Sequence, residues 1–183
     1  MSSRMKRWKT LKKKVVLNDA PWLVVEHRRV KLPDGRTIAK WPWVSTPDYV
    51  NVVAETTDRK FLCFKQVKYA VNKPMLGIVG GYMEKEESPL SAAKRELLEE
   101  TGYKAEKWIN LGTYRICPNR GFAIGSLFLA RKAKLVAKPT NDDLEELRLI
   151  KLTRSQLESA LLNGKFKILA WALAVALALK KLE

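Results

Sequence analysis

The sequence predicts a mixed fold of the α/β (α+β) class, and three observations support this prediction. Short runs rich in Val, Ile and aromatic residues recur between residues 23 and 152, and turn residues bound them, as is typical of strands. Residues 89–101 lie between a helix-starting Ser-Pro and a helix-ending Gly. The 183-residue chain is 46% hydrophobic and 30% charged, which indicates a globular protein with one sizeable core.

The first part of the chain predicts a small antiparallel β unit that follows a basic tail. Strand-like runs at 23–32 and 36–43 flank Pro33-Asp34-Gly35, a turn in which Pro presets φ and Gly accepts a positive φ. Residues 1–14 hold seven Lys or Arg and no Asp or Glu. We therefore expect a basic N-terminal tail at 1–14, an N-terminal β unit at 15–46 and the main domain at 47–183.

The main domain is predicted to combine a sheet with three helices. Ser88 is a typical N-cap and Pro89 suits the first helical position, so a helix should run from Pro89 to about Thr101, where Gly102 ends it. The other predicted elements are strands at 49–56, 61–69, 75–81, 108–116, 122–130 and 147–152, a helix from the capping box at 153–156 to about 164, and a final helix at 165–182.

Composition excludes several classes of protein. Two cysteines and one histidine cannot form a disulfide framework or a four-ligand zinc site. The longest apolar run, at 168–179, is too short to cross a bilayer, and no apolar segment follows the first basic residues as a secretory signal would require. We therefore expect a cytoplasmic protein. The formal net charge of +16 suits nucleic acid, a phosphorylated small molecule or simple solubility, and charge alone does not choose among them.

The helix predicted at 89–101 has an apolar side and an acidic side. At 100° per residue, one stripe contains Leu90, Ala93, Leu97 and Thr101, and another face contains Glu96, Glu99 and Glu100. Like charges four apart weaken a helix by about 0.2–0.5 kcal/mol, so the acidic face requires a compensating cation. Arg95 or a hard divalent ion such as Mg²⁺ would serve. The alternative is a solvated face of Glu–Arg pairs.

The spacing of these residues resembles the signature of the Nudix hydrolases. Gly81 is followed after five residues by Glu87, and after seven more by the run Arg95-Glu96-Leu97-Leu98-Glu99-Glu100-Thr101-Gly102-Tyr103. All seven fixed positions of G-x5-E-x7-R-E-U-x-E-E-x-G-U, where U is a bulky apolar residue, are present. Tyr103 in the last apolar position is a mild departure. The resemblance implies a Nudix-type α/β/α sandwich with a mixed sheet and hydrolysis of a diphosphate bond.

The resemblance also implies a metal site on the acidic face. Glu96 and Glu100 would ligate Mg²⁺, for which Mn²⁺ could substitute. Glu99 would bind a further metal or its water, and the backbone carbonyl of Gly80 would complete the shell. Cleaving a diphosphate requires neutralised phosphate charge and a positioned water molecule, and a bound divalent ion supplies both.

Other residues of the motif are implied to assist the metal site. Arg95 and Glu87 would hold the loop against the helix. The general base often comes from a glutamate in a loop after the motif, and Glu145 or Glu146 lies in that region. A base only has to come within hydrogen-bond reach of the attacking water. Glu145, Glu146 and Glu99 therefore stay open as candidates.

Weaker resemblance over the rest of the chain points to the ADP-ribose and nucleotide-sugar pyrophosphatase branch of the family. It rests on residues 47–53, on the strand that contains Gln66, and on Pro118, about fifteen residues beyond the motif. That branch generally forms homodimers, with an N-terminal β unit that contributes to the partner's site and aromatic residues that sandwich the base. This chain departs from the branch at three places. Where the branch usually has Ser-Pro-Gly, this chain has Cys117-Pro118-Asn119-Arg120-Gly121, and where it often has Leu-Pro-Gly before the motif, this chain has Val79-Gly80-Gly81. Gln66 is followed by Val67-Lys68-Tyr69 instead of Tyr-Arg.

Five residues outside the motif are candidates for substrate binding. Trp41, Trp43 and Tyr49 could stack on a base. Lys68 and Arg120 could bind phosphate, since Arg offers a planar fork and Lys a mobile point charge. The tryptophans could instead pack within the protein or at a dimer contact, and the two cations could be ordinary surface charges.

The residues and the resemblance together predict a Mg²⁺-dependent hydrolase of a nucleoside diphosphate linked to another moiety. ADP-ribose or an ADP-sugar would give a nucleoside monophosphate and a sugar phosphate. Two alternatives are hydrolysis of nucleoside triphosphates or RNA 5′ caps, and a non-catalytic nucleotide-sensing domain. The expected partners are a nucleotide-type small molecule and a second copy of the chain. Nucleic acid is not favoured, because no recognisable binding module is present, and no membrane partner is expected.

Overall fold

The computed structural model describes residues 5–140 and 146–183. The strands within these residues are β1 Lys9–Asp19, β2 Leu23–Lys31, β3 Thr37–Ser45, β4 Tyr49–Thr56, β5 Phe61–Val67, β6 Pro74–Gly77, β7 Val79–Tyr82, β8 Tyr103–Arg115, β9 Ile124–Leu135 and β10 Arg148–Leu152. The helices are α1 Pro89–Thr101, α2 Arg154–Leu162 and α3 Leu169–Lys181. None of these helices is long and apolar enough to cross a membrane.

The chain divides into two compact units. Unit 1 comprises the residues up to Pro47 together with Arg115–Ile124, and unit 2 comprises Asp48–Tyr114 and Gly125–Glu183. The first boundary lies beside the one that the sequence suggests. The segment 115–124, which was expected in the main domain, belongs to unit 1.

Unit 1 contains an antiparallel sheet in the order β1-β2-β3. The turn between β2 and β3 contains Gly35 at φ 93°, as its sequence predicts. The structure differs from the sequence prediction at residues 9–14, which form the first half of β1 instead of a tail. Lys-rich segments have little strand preference of their own, but here the residues of β1 pair with β2 from Lys9 onward, apart from the two register shifts at Leu11 and Val16, while the side chains of β1 stay exposed.

Unit 2 contains a mixed sheet in the order β10-β5-β4-β9-β8, with β6 paired to β5 and β7 paired to β4. Strands β4 and β9 run parallel, whereas β4 is antiparallel to β5 and to β7. Alternate residues of β4 belong to different apolar clusters: Val50 and Val52 pack with α1, and Val53 packs with α2 and α3. Helices therefore cover both faces of the sheet, and the predicted α/β/α sandwich is confirmed.

The ends of α1 are those that the sequence predicts. Oγ of Ser88 accepts a hydrogen bond from the backbone N–H of Ser91 at 3.2 Å. Gly102 adopts the left-handed conformation at φ 75° and donates its N–H to the carbonyl of Leu98 at 2.7 Å. Both caps act within a few residues of sequence, which is why they could be predicted without knowledge of the fold.

The buried arc of α1 is wider than the predicted stripe and is displaced toward its acidic side. Leu90, which was expected in the core, is 38% exposed, so that prediction was wrong. The fully buried residues are Ala92, Ala93, Leu97 and Thr101. Ala92 extends the arc toward the acidic side. Leu90 shares the stripe of Leu97, but it lies in the first turn of α1, where Pro89 and Ser91 are exposed as well.

The other two helices agree with the prediction at the start of α2 and differ at the start of α3. Both reciprocal hydrogen bonds of the capping box are present: Gln156 N–H donates to Oγ1 of Thr153 at 3.1 Å, and Thr153 N–H donates to Oε1 of Gln156 at 2.9 Å. Helix α3 begins at Leu169 instead of Lys165. The carbonyl of Lys165 accepts a hydrogen bond from Leu76 N–H at 3.0 Å, which holds the preceding segment against β6 and outside the helix.

Candidate active site

Two glycines of β7 allow its backbone to pass close to its neighbours. A Cβ atom on Gly81 would lie 2.2 Å from Oε1 of Glu96. A Cβ atom on Gly80 would lie 2.4 Å from the carbonyl oxygen of Val50 on β4. Neither position accepts a side chain without a shift of its surroundings, so steric contact explains why both residues are glycine.

The guanidinium group of Arg95 joins α1 to the loop that precedes it. Its Nε and Nη2 donate to the two carboxylate oxygens of Glu87 at 3.1 and 2.9 Å, a bidentate geometry that is among the stronger kinds of hydrogen bond. Nη2 also donates to the backbone carbonyl of Tyr82 at 3.0 Å. Hydrogen bonding between the two side chains raises the pKa of Arg95 and lowers the pKa of Glu87, because each charged form stabilises the other.

The remaining nitrogen of Arg95 contacts the acidic face. Nη1 donates to Oε1 of Glu96 at 2.7 Å and to Oε2 of Glu99 at 3.0 Å. Glu100 is held differently, since its Oε2 accepts a hydrogen bond from the backbone N–H of Gly80 at 3.1 Å. The three carboxylates are therefore positioned from two directions, by Arg95 and by the backbone of β7.

The donor set of the acidic face suits a hard divalent cation. Carboxylate and backbone carbonyl oxygens are the ligands that Mg²⁺ prefers. Within residues 5–140 and 146–183, however, no three His, Cys, Asp or Glu side chains converge as metal ligands do. In this arrangement, Nη1 of Arg95 contacts oxygens of Glu96 and Glu99 that a bound cation would use. A cation bound at these oxygens would compete with Nη1, whereas Nε and Nη2 would stay with Glu87.

Two of the residues predicted to bind substrate lie in unit 2. Tyr49 begins β4, and its ring lies over Gly125, where a Cβ atom would be 2.5 Å from Cζ of the ring. Burial raises the pKa of the Tyr49 hydroxyl. Lys68 follows β5 and is half-buried, and its carbonyl accepts hydrogen bonds from the N–H groups of Val71 and Asn72. These contacts fix the backbone at both positions.

The other three predicted substrate residues lie in unit 1 and contact residues of that unit. The guanidinium of Arg120 lies 4.2 Å from the centre of the Trp41 ring, and Nε1 of Trp41 donates to the carbonyl of Asn119 at 3.0 Å. The guanidinium of Arg28 lies 3.7 Å from the centre of a ring of Trp43. These cation–π contacts use ring faces that base stacking would need. The contacts therefore favour the alternative in which Trp41 and Trp43 pack within the protein.

The candidate general bases differ in location. Glu145 lies outside the described residues. Glu146 is exposed and precedes β10. Glu99 has a side chain that is 46% exposed, compared with 12% for Glu96. Of the described candidates, Glu99 is the one that belongs to the acidic face itself.

Two buried carboxamides were not among the predicted site residues. Asn51 on β4 and Gln66 on β5 are 4% and 7% exposed, and within the described part of the chain the side-chain oxygen of each lacks a hydrogen-bond partner. Asn51 lies opposite Gly80 in the β4–β7 ladder. A buried unpaired oxygen costs about 1–3 kcal/mol, so both oxygens are candidates to accept a hydrogen bond from water or ligand. The sequence signal was weak, since each is a single polar residue in a strand-like run.

Comparison with known proteins identifies the family to which this fold and loop–helix arrangement belong. The family model of the NUDIX domain matches residues 45–172 of this chain. This match covers more than half of the chain, so the chain belongs to the NUDIX family and is a pyrophosphohydrolase.

Individual relatives agree with this assignment. The chain is 32% identical over 132 residues to the ADP-ribose pyrophosphatase of Bacillus subtilis (strain 168), a match that covers 72% of this chain and 70% of that protein. It is 34% identical over 132 residues to the methanol dehydrogenase activator of Bacillus methanolicus, with the same two coverages. A crystal structure of an ADP compounds hydrolase superposes with a TM-score of 0.80 at 19% identity and covers 99% of this chain and 97% of that one. The predicted family and its ADP-ribose pyrophosphatase branch are confirmed, and the protein hydrolyses nucleotide-linked diphosphates.

Proposed function

We propose that this protein is a Mg²⁺-dependent hydrolase, with Mn²⁺ as a possible substitute ion, that cleaves ADP-ribose or an ADP-sugar into AMP and a sugar phosphate. The observation that carries the proposal is the position of Arg95, which binds Glu87 of the loop and two glutamates of the acidic face at once. A solvated helix face would not need a loop carboxylate to hold its arginine. The identity to an ADP-ribose pyrophosphatase supports the substrate class.

The residues of the site have separate roles in this reaction. When bound, the divalent ion would neutralise charge on the diphosphate and make a water molecule more acidic. Glu96, Glu100 and the carbonyl of Gly80 would hold the ion, and Glu99 would bind a further ion or its water. Arg95, fixed by its bidentate contact with the loop, orients Glu96 and Glu99 before the substrate arrives, and the backbone N–H of Gly80 orients Glu100.

Proton removal from the attacking water requires one further carboxylate. The side chain of Glu99 is 46% exposed and adjoins the proposed metal ligands, so its carboxylate could accept a proton from a water molecule within hydrogen-bond reach. Glu145 and Glu146 are the alternatives. In unit 2, Lys68 is our candidate to contact the phosphates and Tyr49 our candidate to contact the base.

A substrate panel tests the proposal. The purified protein is incubated with Mg²⁺ and ADP-ribose, an ADP-sugar, a dinucleoside polyphosphate, a nucleoside triphosphate or capped RNA, and the products are identified by chromatography. We expect AMP and a sugar phosphate from the first two. Cleavage of triphosphates or caps alone would refute the proposed substrate, and absence of any hydrolysis would refute the proposed reaction.

Two isosteric variants test the metal ligands. Glu96→Gln and Glu100→Gln keep an oxygen that can accept the observed hydrogen bonds but lose the charge that binds a cation. We expect kcat to fall by about 10²–10³-fold, the usual cost of losing one electrostatic contact to the transition state. Glu106→Gln is the matched control, because Glu106 is exposed on β8 and pairs with Lys134. Unchanged turnover in both site variants would refute the assigned roles.

We also propose that the protein forms a homodimer through unit 1. Two large apolar side chains near the end of β1 and in the following turn, those of Leu17 and Trp22, are about half exposed. Exposed apolar patches mark interaction surfaces. Sedimentation equilibrium should give twice the chain mass, and Leu17→Asp should lower the association constant. A monomer at micromolar concentration would refute this assembly.

A further inference from the structure

One face of the sheet in unit 1 carries basic side chains in register. Three pairs of directly opposed residues on β1 and β2 lie on it: Lys9 with Lys31, Lys12 with Arg29, and Lys14 with His27. Residues 27, 29 and 31 alternate along β2, so their side chains point to the same side of the sheet. This side, together with Lys40 of β3, is named the basic face.

A β-bulge keeps the lysines of β1 on the basic face. The register shifts between Thr10 and Lys12, so that Leu11 is an extra residue on β1. Without the extra residue, the period of two would place Lys12 and Lys14 on the opposite side from Lys9. The bulge therefore aligns all three lysines with the basic residues of β2.

This alignment is unfavourable in the isolated protein, because like charges directly opposite each other destabilise a sheet. The unpaired cations of the basic face are Lys9, Lys12, Lys14, Arg29, Lys31 and Lys40, none of which forms an ion pair with an Asp or Glu of residues 5–140 or 146–183. The other face of the same sheet also carries an opposed pair of cations, Lys13 and Arg28, but there Nε of Arg28 donates to Oε2 of Glu26 at 2.7 Å. A carboxylate therefore pairs with a cation on that face, whereas no carboxylate of the described residues does so on the basic face.

The basic face is grooved along its length. A groove of about 540 Å³ is lined by Lys12, Lys14, Val15, Val16, His27, Arg29, Ala39 and Lys40. A second groove of about 850 Å³ is lined by residues that include Lys6, Arg7, Lys9 and Lys31. The one carboxylate that lines it, Asp34, is hydrogen-bonded to Arg36 at 2.6 Å. Each of the two grooves therefore offers several cations to an anionic chain.

Protection of the sheet edge does not explain the whole pattern. Lysines on an edge strand discourage aggregation through the edge, and β1 is an edge strand. Strand β2, however, is paired on both sides and has no edge to protect. The presence of Arg29 and Lys31 on β2, each opposite a lysine, indicates that the charges act together on a ligand.

We propose that the basic face binds single-stranded nucleic acid through its phosphates. Contacts from Lys and Arg to phosphate supply sequence-independent affinity and require no aromatic platform. Protein interfaces are depleted in Lys, and both grooves combine apolar residues such as Met5, Leu11 and Val15 with cations, whereas an element that binds a membrane surface presents its apolar side chains on a separate face. A face of three strands is about 10 Å wide, which suits a single chain of phosphodiesters better than a duplex.

The salt dependence of binding gives a quantitative test on the full chain. A short fluorescent oligouridylate is titrated at 50 and 200 mM salt and its anisotropy is measured. Six phosphate contacts predict a log–log slope of about −4 and about 300-fold weaker binding at the higher salt. The variant Lys12→Gln/Lys14→Gln retains four of the six cations and should have a slope of about −3, with about 50-fold weakening. Lys40→Gln should change the slope by about 0.7.

Matched controls separate local from general charge effects. Lys104→Gln/Lys107→Gln removes two exposed lysines of β8 and should keep the wild-type slope. Thermal unfolding of each variant checks that it is folded. An oligodeoxynucleotide of the same length should bind with similar affinity, because the contacts are to phosphates.

Several outcomes would overturn the proposal. They are no binding of the oligouridylate at 50 mM salt, an unchanged slope in both basic-face variants, an equal loss in the β8 control, and strict dependence on the ribose hydroxyl. Binding to vesicles that contain phosphatidylserine, or to an acidic peptide, without binding to the oligonucleotide would also overturn it. The readout is binding alone, so it is independent of the substrate proposed above.

Discussion

The ion pair between Glu87 and Arg95 can be measured as a coupling free energy. Wild type, Glu87→Gln, Arg95→Gln and the double variant are unfolded with urea at pH 7 in the presence of EDTA, so that a divalent ion does not contribute. The coupling energy is the part of the double-variant effect that the two single variants do not account for. Arg95→Gln alone should cost more than the coupling energy, because it also removes the hydrogen bonds to Glu96 and Glu99.

The expected magnitude follows from the geometry of the pair. Two hydrogen bonds of 3.1 and 2.9 Å join side chains that are 14% and 23% exposed. Charge-assisted hydrogen bonds contribute about 1.5–3 kcal/mol, and desolvation and side-chain ordering offset much of the larger Coulomb energy. We therefore expect a coupling energy of about 2 kcal/mol, which is equivalent to about 4–8 °C in the unfolding midpoint of a chain of this size.

The sign of the pH dependence follows from the lowered pKa of Glu87. The stabilisation is fully present above the unfolded-state pKa of about 4.3 and is lost as the pH falls through the lower folded-state pKa. The coupling energy should thus be constant near neutral pH and decline in acid. A coupling below about 0.5 kcal/mol at pH 7, in the range of exposed pairs, or one that acid does not reduce, would refute the assigned role of the pair.

Three other measurements probe the surroundings of the site. Gly81→Ala should lower the turnover of ADP-ribose by about 10²-fold, because its Cβ would displace the carboxylate of Glu96; an unchanged kcat would contradict this. Leu97→Ala should cost about 2–5 kcal/mol in urea unfolding, whereas Leu90→Ala, at an exposed position, should cost less than about 1 kcal/mol; equal costs would show that the burial is misassigned. Burial raises the pKa of the Cys63 thiol to about 12, so iodoacetamide at pH 8 should not label it in the folded protein. Labelled Cys63 detected by mass spectrometry would contradict this expectation.

Local signals account for the parts of the fold that the sequence predicts well. Ser88 and Gly102 set the two ends of α1 through hydrogen bonds to residues a few positions away. The capping box of α2 is equally local. Such contacts depend on the identities of near neighbours and hardly on the rest of the fold, so a single sequence is enough to find them.

Contacts between distant residues account for the parts that it predicts badly. The first half of β1 forms because β2 supplies partners for a lysine-rich segment that has little strand preference. Helix α3 starts late because the carbonyl of Lys165 bonds to Leu76, far away in sequence. Leu90 lies outside the core although periodicity places it on the buried stripe, because the first turn of α1 is left uncovered, with Pro89 and Ser91 exposed beside it.

For this protein, sequence alone determined the family and the pyrophosphohydrolase activity, because all fixed residues of the family's motif are present at their spacings, and it supplied the glycines, glutamates and arginine that we propose for the site. The tertiary structure decided how they meet: Arg95 bridges Glu87 to the acidic face, and the backbone of Gly80 holds Glu100. It also decided that Lys9, Lys12 and Lys14 join the basic residues of β2 on one face. Spacing fixes which side chains are available, but their distances and directions depend on the strand pairings and helix packing that bring remote segments together.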